Sequence, residues 1–143
     1  PHFWAAPYER SGEFGGRGLP PAFTTEALAQ RTKGGPVPST ENTTIAIVAT
    51  DARLNKAQAQ RLALMAHDGM ARALRPAHAA FDGDIVFAAA TGAGDTPASP
   101  HDLMEIGALA ADCLARAIAR GVYEASRLPF AGALPAWRDR FAA

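Results

Sequence analysis

Two short polar stretches carry the residues whose types and spacing could support covalent chemistry. The first is Asn42-Thr43-Thr44, which leads without a break into an apolar, β-branched run. The second is Asp82-Gly83-Asp84, which leads into another apolar run. A threonine hydroxyl becomes a nucleophile when a nearby base takes its proton, and carboxylates can orient such a group or share a proton with it. Each stretch is therefore a candidate for one half of a single catalytic site.

A threonine at a chain N-terminus carries its own base. The α-amine has a pKa of about 8 and can take the hydroxyl proton directly or through a water. At Thr43 this requires that the peptide bond from Asn42 be broken. The Thr43 hydroxyl can break it by attacking the Asn42 carbonyl, which forms an ester that water then hydrolyses. The first stretch is thus compatible with autocleavage between Asn42 and Thr43.

Less specific interpretations of both stretches stay open. Asn42-Thr43-Thr44 could simply begin a strand, where Thr and Asn are common. It also fits the N-x-[ST] glycosylation sequon, although no other feature suggests secretion. Asp82-Gly83-Asp84 could be an Asp-Gly turn that enters a strand. In an extended segment, however, residues two apart point to the same side, so both carboxylates could approach Thr43 if the two strands are neighbours.

The composition restricts the partners that we expect. The chain has 14 basic and 14 acidic residues, so its formal net charge is zero, which argues against nucleic acid. No apolar run approaches the roughly 18 residues of a membrane span. The four histidines have no metal-ligand spacing, so neither a metal nor a cofactor is predicted. The single cysteine, Cys113, excludes an internal disulfide and favours a reducing, cytoplasmic location.

The elements that must position these residues are two strands and two helices that alternate after Asn42. Short apolar runs without Gly or Pro predict the strands, and apolar residues at helical spacing predict the helices. In chain order we expect a strand over 43–50, a helix between 55 and 76, a strand over 85–91 and a helix over 99–126. Both strands are predicted to be buried, the first on both faces.

Capping residues support both helices. Asn55 with Gln58, and Ser99 with Asp102, have the spacing of a capping box. The second helix also carries a stripe of small and apolar residues that we expect to be buried. The stripe contains Leu103, Ile106, Ala110, Cys113, Ala117 and Gly121.

Residues 1–42 differ in character from the rest. Clusters of Gly and Pro predict loops and turns, and residues 22–31 between them could form a short helix. The aromatic segment 2–9 could pack as a strand or an extended edge. The tail over 128–143 is predicted to be irregular, with Trp137 and Phe141 as anchors.

Three blocks of sequence together resemble a family of self-cleaving N-terminal-nucleophile hydrolases. The blocks are PHFWAAPYERSGEFGGRG, ENTTIAIVATDARL and MAHDGMARALRPAHAAFDGDIVFAAATG. They occur in the family order, and the similarity spans nearly the whole chain. The family contains L-aminopeptidase/D-esterases, β-aminopeptidases and nylon-oligomer hydrolases. The NTT and FDGD motifs look closest to the nylon-oligomer branch, in which the nucleophile is threonine.

The resemblance implies a site, a fold and a subunit division. Asn42–Thr43 would be the autocleavage bond, Thr43 the catalytic nucleophile, and Asp82 and Asp84 the carboxylates that orient and activate it. The implied fold is α/β, a four-layer α/β/β/α sandwich of which this chain is the C-terminal part. Residues 1–42 would end the large subunit, and 43–143 would form the small subunit.

The resemblance also implies partners outside this chain. A large-subunit segment upstream of Pro1 would supply a lysine or tyrosine and an asparagine near the site. Family members form symmetric multimers, so we expect a homo-oligomer, a tetramer in particular. No metal or organic cofactor is implied.

The leading interpretation is an amide hydrolase that acts through Thr43, with 6-aminohexanoate (nylon) oligomers as the expected substrate. An aminopeptidase or β-peptidase of the same family is the alternative among enzymes. A non-catalytic α/β module that binds a ligand is the alternative from another class. That module would keep an uncut chain.

Overall fold

Two parallel strands alternate with two long helices in the second part of the chain, as the sequence predicts. The computed structural model describes residues 2–29, 43–80 and 82–141. In chain order the elements are a 3-10 helix (Ala6–Tyr8), α1 (Thr25–Leu28), β1 (Ile45–Thr50), α2 (Lys56–Ala73), β2 (Ile85–Ala90), α3 (Pro100–Glu124) and α4 (Trp137–Phe141). The bounds of β1, α2, β2 and α3 agree with the predicted ranges to within three residues.

Both long helices begin where the capping residues predict. The Asn55 side chain accepts a hydrogen bond from the Gln58 N–H at 2.9 Å, and the Gln58 side chain accepts one from the Asn55 N–H at 2.9 Å. Ser99 and Asp102 form the same reciprocal pair. Two hydrogen bonds with Ser99 lower the pKa of Asp102, and the one to the Ser99 main chain has a larger effect than the one to its side chain. Local sequence alone sets these starts, because the caps pair N–H groups that a helix leaves without partners.

The core lies between the sheet and the two long helices. β1 and β2 pair in parallel, and the register places Ile45 opposite Ile85. Alternate strand residues, Val48 and Val86 among them, point to the helices. The buried residues of this core are Val48, Leu62, Ala66, Met70, Val86 and Leu114.

The opposite face of the two-stranded sheet is exposed, so the prediction of strand burial on both faces is wrong for the described residues. Ile45 is 71% exposed, Ile47 66% and Phe87 52%. These side chains alternate with the core-facing ones along each strand. The apolar run indicated two-sided burial because parallel strands are normally covered on both faces. Among the described residues, only α2 and α3 cover this sheet, and they lie on one face of it.

The buried face of α3 also differs from the predicted stripe. Its buried residues are Gly107, Ala111, Leu114, Ala115 and Ala119. Cys113 is exposed, which corrects its predicted burial. With Ile106, Ala110 and Ala117 it lines an open apolar groove between α3 and β1. Gly107 and Ala111 instead face α2, where the two helices approach closely.

The first segment packs on α3 and is not a strand. It turns through the 3-10 helix at Ala6–Tyr8, which corrects the expectation of an extended edge over 2–9. The Phe3 ring lies 4.7 Å from the Trp137 ring and 5.3 Å from the Phe14 ring, centroid to centroid. Trp137 therefore anchors the tail as predicted, although the tail forms the short helix α4. Aromatic packing thus joins both ends of the chain to α3.

Gly69 sets the distance between α2 and α3. A Cβ at this position would lie 2.4 Å from the Ala111 carbonyl oxygen and 2.8 Å from the Leu114 Cβ. Gly121, which is on α3 itself, has open space: a Cβ there would meet nothing within 4 Å. The two glycines therefore form a matched pair for a test of this contact.

We expect Gly69→Ala to lower the free energy of unfolding of the intact protein by about 1–3 kcal/mol, because the helices must separate. Gly121→Ala should leave it unchanged or raise it by about 0.4–1 kcal/mol, because alanine restricts the unfolded chain. Denaturant unfolding measures both. Equal midpoints for Gly69→Ala and the unmodified protein would contradict the close contact.

An ion pair between Glu13 and Arg116 ties the first segment to α3. The Arg116 Nη2 donates to Glu13 Oε2 at 3.0 Å, and its Nε donates to Oε1. The side-chain hydrogen bond from Arg116 lowers the pKa of Glu13. A lowered pKa in the folded state stabilises the fold above the unfolded pKa of about 4.3, and this contribution is lost as the pH falls through the folded value.

Glu13→Gln should therefore lower Tm at neutral pH, and the deficit should shrink as the pH falls below about 4. Thermal unfolding across a pH series measures this. Glu105→Gln is the control, because Glu105 is exposed and pairs with the exposed His101 one helical turn away. A Glu13→Gln deficit that is constant over the whole pH series would refute the assignment.

Candidate active site

The register of the sheet brings the two polar stretches to the same end. Thr43 and Thr44 come directly before β1, and Gly83 and Asp84 come directly before β2. Because Ile45 lies opposite Ile85, the two stretches run side by side. The Ile85 N–H donates to the Thr44 carbonyl at 2.9 Å, which extends the ladder beyond the strands. The sequence alone did not establish that the two strands are neighbours, and the structure shows that they are.

The Thr43 hydroxyl lies against Gly83. Thr43 is exposed, and a Cβ at Gly83 would lie only 2.7 Å from its Oγ1. Gly83 does not have a positive φ, so it is needed for space rather than for an unusual backbone conformation. Asn42, the other residue of the predicted autocleavage bond, lies outside the described residues. Of the two residues of that bond, the structure therefore describes Thr43.

Asp84 joins the main chain beside Thr43 to the loop before β2. Its side chain is 6% exposed. The Asp84 Oδ1 accepts a hydrogen bond from the Thr44 N–H at 2.9 Å. The Oδ2 accepts one from the His78 N–H at 3.2 Å and lies 3.2 Å from His78 Nδ1. Both oxygens thus have donors, as a buried carboxylate requires.

Asp82 has a different environment from Asp84. The Asp82 Oδ2 accepts a hydrogen bond from the Ala79 N–H at 2.7 Å, and the Asp82 N–H donates to the Ala79 carbonyl at 2.9 Å. These bonds close the turn that precedes Gly83. The structure thus brings Asp84 against the Thr44 main chain, whereas the hydrogen bonds described for Asp82 stay within its own loop.

Two residues at this site have little signal in the sequence. Gly83 between two aspartates indicates only a turn, and its need for space beside Thr43 arises when the strands pair. His78 lies six residues before Asp84, and none of the four histidines has a spacing that suggests a role. A histidine shortly before an Asp-Gly-Asp motif is the only hint that the chain offers.

The described segments form neither a metal site nor a membrane span. No three or more of their His, Cys, Asp and Glu side chains are grouped so that they could hold a metal ion. None of their helices is both long enough and apolar enough to cross a bilayer.

A threonine and two aspartates at the mouth of a parallel strand pair are residues that an amide-cleaving enzyme can use. Comparison with known proteins supplies the family. The sequence pattern of peptidase family S58 matches residues 8–133. The chain belongs to this family. The family predicted from the sequence is confirmed, and it is described as a peptidase family.

Relatives of two kinds are similar to this chain. An uncharacterized aminopeptidase of Mycobacterium tuberculosis is 47% identical over 91% of the chain and 40% of its own length. An uncharacterized aminopeptidase of Mycobacterium leprae is 55% identical over 54% of the chain and 24% of its own length. A 6-aminohexanoate-oligomer endohydrolase of Paenarthrobacter ureafaciens is 35% identical over 52% of the chain and 21% of its own length. The chain thus spans at most 40% of these relatives.

The contact between Gly83 and Thr43 makes a specific prediction. Gly83→Ala should slow any reaction of the Thr43 hydroxyl by about 100-fold, because the new methyl group displaces the hydroxyl from its position. Tm should change little, since Oγ1 can rotate away about a single bond. Gly94→Ala is the control, because a Cβ there makes only ordinary contacts of 3.6 Å or more. Unchanged reactivity of Gly83→Ala would show that this hydroxyl position is not the reactive one.

Proposed function

We propose that this chain carries the nucleophile of an amide hydrolase that cleaves itself between Asn42 and Thr43. The observation that supports the proposal most directly is the position of Thr43. Thr43 is exposed at the end of the sheet, with its hydroxyl beside Gly83, and the next residue, Thr44, is held at both its N–H and its carbonyl by Asp84 and Ile85. The nucleophile is therefore accessible, while the main chain that carries it is fixed.

Self-cleavage would use the hydroxyl that later attacks the substrate. The Thr43 Oγ1 attacks the carbonyl carbon of Asn42, and the bond from that carbon to the Thr43 nitrogen breaks. The nitrogen takes up the hydroxyl proton and becomes the α-amine, while Asn42 is left as an ester on Oγ1. Water hydrolyses the ester, which gives a carboxylate on Asn42 and a Thr43 with both a hydroxyl and an amine.

Substrate hydrolysis would follow the same route in an intermolecular form. The Thr43 amine, whose ordinary pKa of about 8 suits a base, takes the hydroxyl proton as the oxygen attacks the substrate carbonyl. The amine then returns the proton to the leaving nitrogen, and an acyl ester stays on Thr43. Water attacks this ester and releases the acid. Backbone or asparagine N–H groups would stabilise the oxyanion, and Asp82 and Asp84 would orient the nucleophile.

Linear amides are the proposed substrates, and two kinds have support. The NTT and FDGD motifs favour 6-aminohexanoate oligomers, the substrate in the name of the Paenarthrobacter relative. The relatives that cover more of the chain are named aminopeptidases, which favours aminoacyl amides. Since the chain spans two fifths of such a protein, the walls of the substrate cleft belong largely to other segments.

The exposed sheet face supports the proposed four-layer α/β/β/α sandwich. A two-stranded sheet is only marginally stable by itself, and a contiguous apolar face in water usually marks a contact surface. We propose that a large-subunit segment upstream of Pro1 brings further strands and a second sheet onto Ile45, Ile47 and Phe87. The tetramer implied by the family resemblance is also a proposal.

The packing of the first segment supports the proposed subunit division. Residues 2–29 contact α3 through the Phe3 and Phe14 rings and through the ion pair of Glu13 with Arg116. These contacts do not depend on the peptide bond before Thr43. Cleavage would therefore leave the end of the large subunit, 1–42, attached to the small subunit, 43–143.

The test of the function is a comparison of two Thr43 variants by intact mass and amide hydrolysis. Thr43→Ala should stay uncut and inactive, because it has no hydroxyl. Thr43→Ser should still split and hydrolyse amides at a changed rate, because it keeps the hydroxyl and the amine. An unmodified protein that is fully active with the Asn42–Thr43 bond intact would refute the proposal.

The same preparation separates the alternatives. Faster turnover of an aminoacyl p-nitroanilide than of a 6-aminohexanoate oligomer would assign the protein to the aminopeptidases, and the reverse would assign it to the oligomer hydrolases. A chain that stays uncut and turns over neither substrate would favour the binding module.

A further inference from the structure

The loop before β2 holds the Asp84 carboxylate on the side opposite to Thr44. His78 makes two contacts to the same oxygen: its main-chain N–H donates to Asp84 Oδ2 at 3.2 Å, and its ring Nδ1 lies 3.2 Å from that atom. The other oxygen, Oδ1, receives the Thr44 N–H. Asp84 is therefore held between the histidine and the main chain that follows Thr43.

The His78 ring is itself held in place. It packs against the ring of His67 on α2, with centroids 5.0 Å apart and planes inclined by 51°. The His78 backbone has a φ of 56°, a left-handed conformation that is uncommon in residues other than glycine. Residues kept in such conformations cluster at functional sites, where the surrounding structure over-determines them. Here the conformation coincides with two contacts to one carboxylate oxygen.

We propose that His78 is a positioning residue for the Thr43 nucleophile and acts by fixing Asp84. The proposal rests on the proposed function, since it concerns the same nucleophile. The connection has three links: the His78 ring Nδ1 pairs with Asp84 Oδ2, Asp84 Oδ1 accepts from the Thr44 N–H, and Thr44 fixes the main chain of Thr43. The ring must carry its hydrogen on Nδ1, which both the neutral Nδ1–H tautomer and the imidazolium do.

Removal of the His78 ring should disturb the orientation of Thr43, but it removes no group that takes part in the reaction. Without the ring, Asp84 Oδ2 keeps the main-chain N–H of residue 78 but loses its second contact, so the carboxylate is held less firmly as the acceptor of the Thr44 N–H. A displacement of about 1 Å at a reacting group can cost about 100-fold in rate. Substrate binding should be little affected, since His78 acts through Asp84 and not on the substrate. The effect should therefore appear in kcat and in the rate of self-cleavage rather than in KM.

Two substitutions at His78 separate its donor from its bulk. His78→Gly removes the ring and accepts the left-handed backbone. His78→Asn also tolerates that backbone and places an amide N–H on the atom next to Cγ, where histidine has Nδ1. His101→Asn is the matched control, because His101 is exposed on α3 and faces Glu105. All three variants are made in the intact protein, and Tm is measured for each.

The expected result is a graded loss. His78→Gly should lower kcat and the self-cleavage rate by about 10- to 100-fold, with KM within about twofold and Tm nearly unchanged. His78→Asn should recover most of both rates, and His101→Asn should match the unmodified protein. Full rates in His78→Gly would overturn the proposal. Equal losses in the Gly and Asn variants would overturn it as well, because the donor would then be irrelevant.

Hydrogen exchange at single-residue resolution separates this proposal from the proposed function. The Thr44 N–H should exchange at least about 10-fold faster in His78→Gly than in His78→Asn or His101→Asn, because a less firmly held Asp84 protects it less. Unchanged exchange at Thr44 would overturn the role of His78 whatever the activity. If exchange is faster in His78→Gly but the unmodified protein neither cleaves itself nor hydrolyses amides, the proposed function is refuted. The contact between His78 and Asp84 is supported in that case.

Discussion

The parallel pairing of β1 with β2 is the constraint on which the rest of the site depends. Its register sets Ile45 opposite Ile85, and everything placed before the two strands follows from that pairing. Thr43 comes beside Gly83, and the Thr44 N–H meets Asp84. A shift of the register by one residue would turn every strand side chain to the other face. The core contacts of Val48 and Val86 therefore protect the geometry at Thr43.

Two glycines of this structure allow neighbouring groups to approach the main chain closely. Gly69 lets α2 approach the main chain of α3, which brings both helices onto one face of the sheet. Gly83 lets the Thr43 hydroxyl lie against the start of β2. In both places the missing side chain matters for space, and not for a left-handed backbone. One glycine thus serves the core and the other serves the candidate site.

The sheet is built on one side only, and this links the fold to the proposed function. α2 and α3 cover the face with Val48 and Val86, while Ile45, Ile47 and Phe87 stay exposed. Since the chain spans 40% of the length of the Mycobacterium tuberculosis relative, further segments of such a protein could cover that face. The same segments would complete the cleft around Thr43. Core and active site would then be completed together.

The sequence by itself determined what is local: the capped helix starts at Asn55 and Ser99, both strands, the family, and the candidates Thr43, Asp82 and Asp84. Only the tertiary structure decided what depends on distant contacts. It left one sheet face bare, turned Cys113 outward, and joined His78 and Gly83 to the site. The physical reason is that caps and periodicity act within a few residues. The space beside Thr43 and the partners of Asp84 exist only after two strands pair across a long helix.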